Sequence, residues 1–154
     1  KLRHMYFYRW PDNSCFQNSV KKLKDEITSI LNQDKSIKKI SLIGHSYGGI
    51  LVTQLLKDWN LSTPIEIHVI ASPLLGTPML NSMCAYEPIS AIPKKSVLYE
   101  WRTQFQLDNV FKNLNEDPQR IELNGSLVTT LPDTYKGNRL GHNWSISWVA
   151  DEAF

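Results

Sequence analysis

Cysteine is scarce in this chain: Cys15 and Cys84 are the only two, and no C-x-x-C pair exists. That excludes a disulfide-dense scaffold and the closely spaced ligand pairs of zinc or redox motifs, and free thiols are expected. Long apolar runs are also missing, with nothing near the roughly 18 residues of a membrane span. Neither sign of charge is in excess. The net charge is +2 with 21% charged residues, so no nucleic-acid partner is implied. No signal-peptide pattern opens the chain, and a cytoplasmic location is expected. Because the first residue is Lys1 rather than methionine, a mature product or a fragment is expected. Internal repeats, low-complexity tracts and linkers are absent too, so residues 1–154 are expected to form one domain. A chain of this length buries roughly 68–70% of its unfolded surface, enough for one real core.

What the chain does contain is an alternation of strand-like and helix-like periods, which argues for an α/β fold with a mostly parallel sheet and helices on both faces. Residues 4–10, HMYFYRW, are rich in aromatics and read as a strand, stopped by the turn-formers PDNS. In FQNSVKKLKDEITSIL, Val20, Leu23, Ile27, Ile30 and Leu31 fall on one helical face. KKISLIG (38–44) then reads as a short buried strand, with a helix from about Gly48 to Trp59 and another buried strand over 65–73. Residues 74–93 hold three prolines and one charge, Glu87, and look like an apolar loop. Extended segments are expected within 96–105 and 119–132, and a closing helix over 143–154.

Between the second strand and its helix lies G-H-S-Y-G, residues 44–48. A serine on a sharp strand-to-helix turn matches the nucleophile-elbow pattern G-x-S-x-G. Such a turn lifts the hydroxyl of Ser46 clear of the sheet and aims the backbone N–H groups that start the next helix at the same spot. Residues two before and two after the serine pass close together, so Gly44 and Gly48 are expected to be the small side chains this geometry permits. The plainer alternative is a glycine-rich turn in which Ser46 merely caps the helix.

GHSYGG resembles the elbow of α/β-hydrolase-fold lipases and esterases, and ASPLLGTP (71–78) is similar to a segment many lipases carry beside the active site. The resemblance covers most of the chain and implies a Ser-His-Asp triad with an acyl-enzyme intermediate. His4 lies in the first expected strand, His68 inside a buried one, and His45 next to the nucleophile should point away from Ser46. His142, in a loop after the last strand, stands where the fold carries its catalytic histidine. Two aspartates compete for the acid. Asp108, 34 positions before His142, leaves room for one more strand and is preferred, although it would also suit a helix N-cap. Asp133, nine positions before His142, would have to share one loop with it.

In one respect the chain departs from the family pattern. The upstream strand ending in an H-G-type motif, which gives a second oxyanion N–H, is not found. The N–H of Tyr47 is the expected oxyanion donor, the N-terminal strands are expected to be missing, and activity is expected to be weak. Either a second chain or an N-terminal segment is expected to complete the sheet. The implied substrate is a small-molecule or lipid ester with an apolar acyl part. Leu74, Leu75, Met79, Leu80 and Met83 are candidate pocket residues, or else they simply close the core under the loop. No metal or organic cofactor is implied. A non-catalytic binding module is the rival reading; thioesterase and acyltransferase activities share the same triad.

Overall fold

The computed structural model describes residues 4–154. Four strands form one parallel sheet in chain order: β1 (Ile40–His45), β2 (Ile65–Ile70), β3 (Ser96–Arg102) and β4 (Leu127–Thr130). Registers are regular, with Ile40 opposite Ile65 and Ile65 opposite Ser96, so all four strands run the same way and end at one edge. Side chains alternate across such a sheet, and the two faces have separate cores. Ile65, Ile67 and Val69 of β2 point into the larger one, beneath α1 (Gln17–Gln33) and α2 (Tyr47–Lys57). Ile70 joins Ala71, Leu131, Leu140 and Val149 in a smaller core under the closing helix (Trp144–Ala153).

The helices take their places through apolar spacing. Leu23 and Ile27, one turn apart, bury the inner face of α1, while Val20 and Leu31 are half-buried beside them. Helix α2 is buried on nearly every side, from Ile50 through Leu56, because it sits between the sheet and α1. Each of its fully buried leucines contributes roughly 1.5–3 kcal/mol relative to exposure.

Several expectations need correction. Residues 4–10 form no strand: Met5, Tyr6 and Phe7 are exposed, and Phe7 is 88% so. β-propensity is realised only against a neighbouring strand, and these aromatics have none among the described residues. Instead Trp10 packs on Tyr47 at 4.8 Å, and the Tyr8 hydroxyl donates to Ser19 O. β1 is not covered on both faces, since Ile43 is 51% exposed: the closing helix reaches only the C-terminal end of its side of the sheet. The loop of 74–93 contains a short helix, α3 (Pro78–Cys84), capped by the Thr77 side chain, and the closing helix is therefore α4. A two-stranded hairpin, β5 (Thr134–Tyr135) with β6 (Asn138–Arg139), turns at Lys136 and Gly137, both with positive φ as a tight hairpin requires.

The cysteines are not free. Cys15 and Cys84 form a disulfide that spans 69 positions and ties the start of α1 to the end of α3. Sequence spacing could not show that the sheet brings these two elements together.

Candidate active site

Parallel strands deliver their C-terminal ends to one edge, and the residues expected to act lie in the segments that leave that edge. At the end of β1, Ser46 has φ 53° and ψ −119°, a conformation that costs a non-glycine residue about 1–3 kcal/mol. It is held from both sides: Ser46 N donates to Ile70 O at 2.8 Å, and Ser46 O accepts from Ser72 Oγ at 2.8 Å. Although Ser46 occupies the N-cap position of α2, its hydroxyl makes no capping hydrogen bond.

The need for small neighbours falls differently from expectation. A Cβ on Gly44 would lie 2.3 Å from Gly48 O, and one on Gly49 would lie 2.2 Å from Ser72 Oγ, whereas Gly48 has nothing within 4 Å. Gly44 and Gly49 are thus the two positions that close packing restricts. Gly48 contributes its backbone to the contact.

Asp108 follows β3 after a single 3-10 turn (Phe105–Leu107) and is wholly buried. Its two oxygens divide the work. Oδ1 accepts the N–H groups of Val110 at 2.9 Å and Phe111 at 3.2 Å, as a helix cap would. Oδ2 accepts from Thr103 Oγ1 at 2.6 Å and from His142 Nδ1 at 2.9 Å. Burial pushes the Asp108 carboxyl up, but hydrogen bonds from His142 and Thr103, with the imidazole charge and the Val110 amide, outweigh it and hold the carboxyl below its ordinary value. An ionised carboxylate can only accept, so Nδ1 of His142 carries a proton, and in the neutral imidazole Nε2 is then the nitrogen with the lone pair. The Phe111 ring packs near-perpendicular to the same imidazole, with centroids 5.0 Å apart. The hydrogen bonds of Ser46 do not include one from its hydroxyl to His142.

The family profile of the PGAP1-like alpha/beta domain matches residues 15–146, which is most of the chain and includes Ser46, Asp108 and His142. The chain belongs to that family. No curated protein and no solved structure shows a significant match. The family is of the α/β-hydrolase type, in keeping with the parallel sheet and its flanking helices.

Within this PGAP1-like domain the other candidates have separate fates. Asp133 is exposed at the foot of the β5–β6 hairpin, where its backbone carbonyl accepts from Leu140 N. His4 is exposed. His68 is buried and fully partnered, between Glu66 Oε1 at 2.8 Å and the indole N–H of Trp101 at 3.2 Å, which suits a structural histidine. Leu74 and Leu80 belong to the larger core, Leu75 is half-buried, and Met79 and Met83 stand 68% and 73% exposed on α3. A pocket wall could draw on the last three but not on the first two. Tyr47 opens α2, and its hydroxyl donates to Ser14 O at 3.1 Å beside the disulfide.

Four supporting residues were not legible beforehand. Thr103 donates to Asp108, and buried Gln119 clamps Thr103 by accepting from its N–H at 2.9 Å and donating to its carbonyl at 3.1 Å. Ser72 braces the elbow, and its place in ASPLLGTP was the one available signal. Phe111 needed the fold to bring it to His142.

Proposed function

We propose that this domain is a serine hydrolase that cleaves carboxylic esters with an apolar acyl part. The observation that carries the reading is the Asp108–His142 hydrogen bond, at the sheet edge where Ser46 turns on a strained elbow with its hydroxyl uncapped. In this reading Ser46 Oγ attacks the ester carbonyl while Nε2 of His142 takes its proton. Asp108 holds the tautomer and balances the imidazolium that forms. The N–H of Tyr47, at the positive end of α2, donates to the oxyanion. The imidazolium then gives its proton to the leaving alkoxide, and the alcohol departs. Water, deprotonated by the same imidazole, attacks the acyl-enzyme; the acid is released as Ser46 regains its proton.

The exposed methionines of α3 suit an apolar and loosely selective acyl group. The Cys15–Cys84 disulfide favours an oxidising compartment over the cytoplasm expected from the sequence. Thioesterase or acyltransferase chemistry would use the same three residues.

One observation favours a rival, a non-catalytic binding module: Ser46 and His142 are not hydrogen-bonded. Catalytic hydrogen bonds are often long until substrate is present, so the hydrolase reading is preferred. Turnover of short p-nitrophenyl esters separates the two. The parent should hydrolyse them and Ser46→Ala should not, with unchanged thermal unfolding; more than a few per cent of activity in the variant would reject Ser46 as nucleophile.

A further inference from the structure

His45, the residue before the nucleophile, is not turned away from the site. Its Nε2 lies 3.0 Å from the backbone carbonyl of His142, and the two imidazole rings are 4.7 Å apart between centroids. A carbonyl only accepts, so Nε2 of His45 carries the proton and donates. We infer that His45 is a positioning residue, which fixes the His142 loop to the strand that carries the nucleophile; the inference rests on the triad reading above.

Three features support it. His142 O also accepts from Ser145 Oγ at 2.5 Å, so both of its lone pairs are used and the peptide cannot rotate without losing a bond. The His142 ring packs against the rings of both His45 and Phe111, and Asp108 occupies Nδ1, so that Nε2 is the ring nitrogen left for a reacting group. His45 itself is fixed by its pairing opposite Ile70, and Ser46 N bonds Ile70 O. Base and nucleophile lie far apart along the chain, and the His45–His142 bond, spanning 97 positions, refers one to the other through a single peptide unit.

Charge fits the same role. Burial, with the nearby His142 charge, lowers the His45 pKa against the opposing hydrogen bond to His142 and the charge of Asp108. A neutral neighbour is what a base that must become cationic requires, since a second cation at this distance would oppose it.

Two substitutions separate positioning from bulk. His45→Phe keeps a ring and loses the donor; His45→Gln keeps an N–H at similar reach. Misplacement by about 1 Å can cost about 10²-fold in rate. His45→Phe should therefore lower kcat by about 10- to 10²-fold with KM within about twofold, while His45→Gln stays within about threefold of the parent. The ring Nδ1 proton of His142, observed by NMR, should exchange with water at least about tenfold faster in His45→Phe than in the parent or His45→Gln. This readout needs no turnover. If Ser46→Ala leaves hydrolysis intact, the triad reading fails and the exchange rate alone decides on positioning. Unchanged exchange in His45→Phe, or equal losses in the two variants at matched thermal stability, would overturn the inference.

Discussion

Asp108 and His142 come from segments 34 positions apart, and they meet at 2.9 Å between Oδ2 and Nδ1 with the aspartate wholly buried. Leaving a buried charge without its partners costs more than the pair gains, so each residue constrains the other. Thr103, itself clamped by Gln119, holds the carboxylate; Phe111, Ser145 and His45 hold the histidine.

Asp108→Asn should cripple ester turnover, because an amide at Oδ2 no longer fixes the Nδ1–H tautomer. Asp133→Asn should change kcat/KM by less than about tenfold, or about 1.4 kcal/mol in the barrier. Steady-state rates for both variants check this, and the reverse order would move the acid to the hairpin.

The glycines of the elbow should rank by the space around them. Gly48→Ala places a methyl in open space in the first turn of α2 and should be neutral or stabilising by up to about 1 kcal/mol. Gly49→Ala drives one into Ser72 and should destabilise by about 1–3 kcal/mol, as should Gly44→Ala against the Gly48 backbone. Urea midpoints would expose any other order.

Reduction of Cys15–Cys84 should lower stability by about 2–4 kcal/mol, since the bond closes a long loop in the unfolded chain. Denaturation with and without reductant measures it. The Cys15→Ser/Cys84→Ser variant should match the reduced parent.

Stability should fall with acidity in two windows. His45 titrates below its ordinary 6.5 in the fold, so the unfolded chain binds its proton first, and stability declines as pH drops through 6.5 toward the lower folded value. Asp108, held below its ordinary 3.8, contributes stability that is full above that pH and lost as pH falls through its folded value. His45→Gln should flatten the upper window and Asp108→Asn the lower one. A parent whose unfolding midpoint is level from pH 7.5 to 5.5 would contradict the first assignment.

How much could be read from sequence depended on how local the cause was. Helix α1, the elbow strand with the helix after it, and the β2 strand follow from short-range spacing, as in Leu23 and Ile27 of α1 or Ile65, Ile67 and Val69 of β2, and their positions were legible. Helix α3 could have been read from Thr77 and Pro78, an N-cap followed by a favoured first-turn proline, but apolar composition hid it. Met5, Tyr6 and Phe7 misled because aromatic propensity for strands needs a partner. Long-range pairings lay beyond reach: Cys15 with Cys84, Gln119 with Thr103, and His45 with His142 exist only because parallel strands end at a common edge. His45 was expected to face away since it alternates with Ser46, yet the His142 loop folds over to meet it.

The central claim is that Ser46 is an activated nucleophile, and the most direct measurement is covalent labelling by a fluorophosphonate probe followed by peptide mass spectrometry. A hydroxyl on this elbow, served by His142, should carry the adduct on the peptide containing Ser46. Labelling should vanish in Ser46→Ala and slow by at least about 10²-fold in His142→Ala. An unlabelled but folded parent, or labelling that survives in Ser46→Ala, would contradict the account.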